Sequence, residues 1–174
     1  MRCFIALPLP EEVKAEMQRV QSILAPYFPE RAVRWTKPEQ FHLTLDFLGE
    51  LSAEEVAGVK GRLGSLHSPS FALELGSVGS FGCPARVLFV SVAKEVETLR
   101  ELQGEVALSG SQQPFHPHLT LARLRTSLPN LQEVAKEVRV EPLAWQVKEV
   151  QLVRSTLTPQ GARYETLFEV GLEA

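Results

Sequence analysis

Phe41–Gly49 reads FHLTLDFLG and Phe115–Leu124 reads FHPHLTLARL. Each stretch contains the tetrapeptide His-Leu-Thr-Leu, as His42–Leu45 and again as His118–Leu121, in a run that alternates apolar and polar residues. Such alternation marks a half-buried strand, whose side chains point to opposite faces in turn. On that rule Phe41, Leu43, Leu45 and Phe47 share a core face, and His42, Thr44 and Asp46 share the other. Leu119 and Leu121 likewise point inward, while His118 and Thr120 project oppositely. The chain has only four histidines. Two of them in matched settings, with identical flanking leucines, is not what random placement gives.

Outward from the two motifs, hydrophobic periodicity gives the same order of elements twice. The first half, about residues 1–82, opens with a strand at Cys3–Leu7. A helix follows from about Glu11, with Val13, Met17, Val20 and Leu24 on one stripe. An extended piece at Val33–Trp35 leads to the first motif. Ser52 and Glu55 form a capping box that starts a second helix carrying Val56, Val59 and Leu63 inward, and a strand at Phe71–Leu75 completes the half. Gly79, Gly82 and Pro84 mark the passage to the second half, about residues 83–174. There a strand at Arg86–Val92 precedes a helix with Val96, Leu99 and Leu102, the polar loop Ser109–Pro114 and the second motif. A helix around Leu131–Val138 and strands near Val147–Val153 and Tyr164–Val170 close the chain.

This order predicts an α+β fold: one bilobal domain, each lobe an antiparallel-rich sheet backed by helices, related by a pseudo-twofold axis with a groove between them. No glycine-rich phosphate loop follows the first strand, which argues against a dinucleotide-binding unit. With 174 residues the length suits one domain. No signal peptide and no apolar run of membrane-spanning length is present, so a cytoplasmic location off the membrane is expected. Cys3 and Cys83 lack metal-ligand spacing and read as free thiols. A net charge of −3 excludes nonspecific coating of a nucleic-acid backbone. Local positive charge nevertheless lies beside both motifs, at Arg31, Arg34 and Lys37 and at Arg123 and Arg125.

If the halves meet symmetrically, two imidazoles and two hydroxyls converge across the groove. That set can open a phosphodiester without metal or cofactor. One neutral imidazole removes a proton from water, and one imidazolium protonates the departing oxygen. The hydroxyls of Thr44 and Thr120 can donate hydrogen bonds to nonbridging phosphate oxygens. Sequence physics leaves the acid and base roles of His42 and His118 interchangeable.

The paired His-x-Thr-x motifs, in this order and setting, resemble the 2H phosphoesterase superfamily. Within it the chain is most similar to the RNA 2′,3′-cyclic phosphodiesterases, once described as 2′-5′ RNA ligases. The resemblance runs through MRCFIALPLP, VRW, FHLTLDFLGE, PARVLFVSV, HPHLTLARL and LVRSTLTPQGARY. It implies a bilobal fold and hydrolysis of terminal RNA 2′,3′-cyclic phosphate to a 2′-phosphate. It also implies that His42 is the proton donor and His118 the proton acceptor, with Thr44 and Thr120 as phosphate ligands. Weak reversible 2′-5′ ligation follows from the same chemistry. Arg123 matches a basic position of the family, yet strand parity puts it on the core side, and only a bulge or twist would bring it to the phosphate.

Other residues have plainer expectations. His116 lines the groove mouth at most, and His67 is a surface residue. Asp46 either orients His42 or faces solvent in a salt bridge, Trp35 and Phe115 pack in the core, and Tyr164 joins a core face with Phe168 and Val170. Two rival functions use the same residues. One is a metal-dependent hydrolase built on His116, His118, His42 and Asp46. The other is a module that binds RNA ends without turnover. A monomer is expected, since each half supplies one motif.

Overall fold

The opening apolar run folds as strand β1 (Arg2–Pro8), in which Cys3–Leu7 are all buried. Helix α1 (Glu11–Leu24) follows, with Glu11 and Glu12 at the positive end of its dipole. Its stripe of Val13, Met17, Val20 and Leu24 is fully buried, as the spacing predicts. A short strand β2 (Val33–Trp35) precedes the first motif strand, β3 (His42–Glu50). Ser52 then caps helix α2 (Ala53–Gly64). Its hydroxyl accepts from the Glu55 N–H at 3.2 Å, and the Glu55 carboxylate accepts from the Ser52 N–H at 2.7 Å. Strands β4 (Phe71–Phe81) and β5 (Val87–Ala93) form a hairpin before helix α3 (Val96–Val106). The second motif strand is β6 (His118–Leu124), followed by helix α4 (Leu131–Glu137) and strands β7 (Ala144–Val147), β8 (Glu149–Thr158) and β9 (Gly161–Gly171). The computed structural model describes all residues, Met1–Ala174. No helix is long and apolar enough to cross a membrane.

The strands form one curled antiparallel sheet in the order β7-β4-β5-β6-β3-β1-β8-β9, with β2 paired to the far end of β6. Only one residue pair, Leu43 opposite Leu119, joins β3 to β6. That joint divides the sheet into two lobes, and it falls on the second residue of both tetrapeptides. Antiparallel counting from it carries His42 toward Thr120 and Thr44 toward His118. The α+β architecture is as predicted, with one difference: the two sheets are continuous through the motif strands. Strands are also exchanged along the chain. The C-terminal hairpin β8–β9 extends the lobe of β1, while β2 and β4 join the lobe of β5 and β6. A single core of 37 buried residues runs through both lobes on one side of the sheet. On the other side Phe4, Ala6 and Val153 form a small separate cluster beneath the groove.

Three bulges decide which side chains reach that groove. On β3, Ile5 faces Asp46 and Ala6 faces Thr44, which leaves Leu45 as an extra residue. On β6, Leu88 faces Ala122 and Phe89 faces Thr120, which leaves Leu121 over. The extra residue is the fourth of each tetrapeptide. Since a bulge adds one residue to a period of two, every side chain beyond it changes face. Asp46 therefore turns inward, and Phe47 turns outward with 60% of its surface exposed. This corrects the expectation that Phe47 joins the core and Asp46 shares the face of His42. Likewise Ala122 is buried and Arg123 turns to the groove side, against strict parity. On β9, Leu152 faces Phe168 but Val153 faces Thr166, so Leu167 is extra and Tyr164 leaves the face of Phe168.

Strand β4 also runs further than its sequence predicts, through Gly76 and Gly79 to Phe81. A Cβ on Gly79 would lie 2.7 Å from the Phe89 ring. That glycine admits an aromatic side chain from the neighbouring strand and does not turn the chain.

Candidate active site

The groove at the joint of the lobes encloses a cavity of about 510 Å³. His42, Thr44, His118, Thr120 and Arg123 all line it, so the residues singled out from sequence are brought together. The local backbone orients both rings alike. His42 Nδ1 lies 2.6 Å from the Gln40 carbonyl oxygen, and His118 Nδ1 lies 2.6 Å from the His116 carbonyl oxygen. A carbonyl accepts only, so each Nδ1 carries a proton and donates it. In the neutral ring Nε2 is then the free lone pair. His42 Nε2 accepts from the Thr44 hydroxyl at 2.8 Å.

Aromatic rings hold the two imidazoles from behind. Phe4 stacks on His42 with centroids 4.7 Å apart, and Tyr164 meets it edge-on at 5.3 Å. Phe81 and Phe89 meet His118 edge-on at 4.8 and 5.6 Å, and they stack on each other at 4.2 Å. These contacts remove water from the rings, and burial disfavours the charged imidazolium. Burial thus pulls His42 from the ordinary 6.5 down to about 4, with the Gln40 carbonyl opposing and the nearby His118 adding slightly. His118 is also lowered, first by burial, against the His116 carbonyl, then by the charge of Arg123 and by His116. Tyr164 is pushed up by burial, while the guanidiniums of Arg123, Arg2 and Arg34 pull it down. Both histidines are therefore neutral near pH 7 in the free protein.

The remaining candidates separate. Asp46 lies on the core side, where its carboxylate accepts from the N–H groups of Leu108 at 2.6 Å and Ser109 at 2.8 Å. It anchors the loop that leads to the second motif and does not touch His42. His116 is exposed and serves the site through its backbone carbonyl. The donor set His116, His118, His42 and Asp46 is therefore not assembled, and no group of three or more His, Cys, Asp or Glu is placed to hold a metal ion. His67 pairs with Glu173 at 3.0 Å, far along the chain from either motif. Phe115 stays outside the cavity, whereas Trp35 lines it while packing edge-on against Phe28 at 5.9 Å. Sequence reasoning missed Phe4, Gln40, Phe81 and Tyr164. Gln40 enters through its backbone carbonyl, which no side-chain pattern marks, and the others depend on strand register.

Comparison with known proteins agrees with this geometry. The family model for LigT-like phosphoesterases matches the chain twice, over residues 7–89 and 90–164. An RNA 2′,3′-cyclic phosphodiesterase of Thermus thermophilus is 38% identical over 189 aligned positions, covering 99% of this chain and 90% of the relative. One of Aeropyrum pernix is 37% identical over 150, covering 79% and 85%. The crystal structure of Escherichia coli LigT in apo form superposes with a TM-score of 0.80 at 29% identity, over 99% of this chain and 98% of that one. Two matched motif strands, a shared groove and a family model that covers nearly the whole chain in two passes place the protein: it belongs to the LigT-like phosphoesterases of the 2H superfamily.

Proposed function

We propose that this protein hydrolyses the terminal 2′,3′-cyclic phosphate of RNA to a 2′-phosphate, without metal or cofactor. The observation that carries the reading is the duplicated ring geometry. Each Nδ1 is tied to the carbonyl two residues before it, which leaves both Nε2 atoms for one cavity. The names of the Thermus and Aeropyrum relatives give the substrate class, and Escherichia coli LigT has been crystallised with 3′-AMP and with phosphate.

In the proposed step His118 Nε2 takes a proton from water as the water oxygen bonds to phosphorus. The bond from phosphorus to the 3′ oxygen breaks, and the His42 imidazolium gives its Nε2 proton to that oxygen. Thr44, Thr120 and Arg123 hold the nonbridging oxygens. His42 begins neutral, so it must gain a proton as substrate binds. The phosphate's negative charge between the rings favours that proton. Each acid or base role is worth about 10²–10⁴-fold.

The matching bulges at Leu45 and Leu121 support a duplicated unit, with repeats of about residues 1–82 and 83–174. One chain holds both motifs, so we read the enzyme as a monomer, acting in the cytoplasm where RNA ends are processed. The test is turnover of a defined oligonucleotide ending in a 2′,3′-cyclic phosphate, followed by phosphorus NMR. A 2′-phosphate product, lost in His42→Ala and His118→Ala, is expected. Tight binding without any product would leave only an end-binding module.

A further inference from the structure

The sheet sets Arg34 of β2 directly opposite Arg123 of β6. Like charges facing each other across an antiparallel pair destabilise it. Nothing local offsets this pair: neither guanidinium has a carboxylate partner, and no Asp or Glu lines the groove. Arg19, Arg100 and Arg154 are each paired to a glutamate, whereas Arg34 and Arg123 face each other in a groove whose lining holds no carboxylate. Two uncompensated guanidiniums side by side await an anion, and arginine is suited to phosphate by its planar fork of donors.

Both guanidiniums act on Tyr164, and each has a further neighbour of its own. The charge of Arg123 is felt at His118, beside the reacting centre. Arg34 instead leans on the β8–β9 turn, where its Nη2 would lie 2.8 Å from a Cβ on Gly161. Gly161 has φ of +118°, a conformation that favours glycine, and its missing side chain is what admits the guanidinium. Past this turn a second, shallower depression shares Ala162 and Tyr164 with the groove and carries Lys37 and Arg163, with Glu39 beside them. Net positive charge thus leads away from the histidines through Arg34.

We propose that Arg34 is a specificity-determining residue that binds the phosphodiester one nucleotide upstream of the cyclic phosphate, so that oligonucleotides are preferred over cyclic mononucleotides. This rests on the cyclic phosphodiesterase reading above. Arg123 serves the reacting phosphate, and Arg34 serves the next one.

The test compares three substrates: a 2′,3′-cyclic mononucleotide, a dinucleotide with the same end, and that dinucleotide with an uncharged methylphosphonate linkage. The wild type should favour the charged dinucleotide by about tenfold or more in kcat/KM, and the neutral linkage should abolish the preference. Arg34→Gln should lower kcat/KM for the charged dinucleotide about tenfold more than for the mononucleotide, mainly through KM. It should also flatten the salt dependence of KM by roughly one ion, with Arg34→Lys intermediate. Equal losses on both substrates would assign Arg34 to the reacting phosphate and overturn the proposal, as would no loss on either. The free Arg34→Gln protein should melt no lower than wild type, because a like-charge pair has been relieved; a lower thermal midpoint counts against the clash. If the wild type turns over none of the substrates, the reaction reading has failed. Equilibrium binding of 2′-phosphorylated mono- and dinucleotides to wild type and Arg34→Gln then decides the subsite alone: a loss confined to the dinucleotide upholds it, and any other pattern overturns it.

Discussion

The two motif strands carry the same tetrapeptide and the same bulge, yet they place their histidines in different surroundings. His42 lies on the flat face of Phe4, and its Nε2 is occupied by Thr44. His118 meets only the edges of Phe81 and Phe89, with no such bond to Thr120, and feels the charge of Arg123. The position five residues after each histidine shows the same divergence: Phe47 on one side and Arg123 on the other, both turned to the groove by equivalent bulges. Four residues after, a buried Asp46 answers a buried Ala122. What the motif repeats is orientation: the Nδ1 proton, the direction of Nε2 and the facing of the threonine. Protonation is set by residues on other strands. Duplication thus supplies two rings of equal orientation, and their unequal neighbours make them differ in burial and charge.

The strongest way to break this comparison is to remove one ring at a time. His42→Ala and His118→Ala should each lower kcat on a 2′,3′-cyclic phosphate by at least about 10²-fold. Because the two act as a unit, the double variant should fall much less than the product of the single losses. Additive losses in rapid-quench turnover would mean that the rings work independently.

Unequal burial predicts the next effect. The folded His42 titrates at about 4 and the ordinary ring at 6.5, so the unfolded chain takes the proton first on acidification. Its contribution is complete above 6.5 and drains away as pH falls toward 4, a loss of about 3 kcal/mol. Urea unfolding across that window should show the loss in wild type and a much smaller one in His42→Gln. Activity should follow the same direction. Both rings are lowered, so kcat/KM should peak on the acid side of 6.5, while kcat, which reports the anion-bound complex, should peak at higher pH. A kcat/KM that climbs steadily through neutrality would contradict the buried, neutral rings.

Asp46→Ala makes the two strands alike at the fourth position after histidine. It leaves the N–H groups of Leu108 and Ser109 without their acceptor. The expected cost is about 2 kcal/mol, read from the thermal midpoint, with faster hydrogen exchange at those two amides. An unchanged midpoint would mean that water replaces the carboxylate.

Asp46 also shows where sequence reading stopped. Features that depend on near neighbours were legible: the α1 stripe, the Ser52–Glu55 box, the strand character of both motifs and the pairing of two histidines with two threonines. Side-chain facing was legible only up to the first bulge. The rule of alternation assumes an unbroken period of two, and Leu45, Leu121 and Leu167 each interrupt it. Asp46, Phe47 and Tyr164 were misplaced for that one reason, and Arg123 reaches the groove only through such a bulge, as its place in the site requires. Two of those bulges are set by the partner strands β1 and β5, tens of residues away in sequence, and the third by β8, the other arm of the C-terminal hairpin. The exchange of β8–β9 into the first lobe was hidden similarly, since periodicity names a strand without naming its neighbour.

The smallest predicted effect concerns the threonines, and it separates orientation from catalysis. Thr44 donates to His42 Nε2 in the free protein, while Thr120 makes no matching bond to His118. Valine has nearly the shape of threonine, so Thr→Val removes the hydroxyl with little change in packing. Thr44→Val should therefore cost about 1 kcal/mol of stability, because the buried Nε2 loses its donor. Thr120→Val should cost nothing measurable. Turnover should treat them more evenly: both hydroxyls face the proposed phosphate, and each substitution should slow cyclic phosphate hydrolysis by roughly tenfold through one lost hydrogen bond. Equal stability costs would show that the free site is symmetric. Unequal rates would show that only one threonine holds the phosphate.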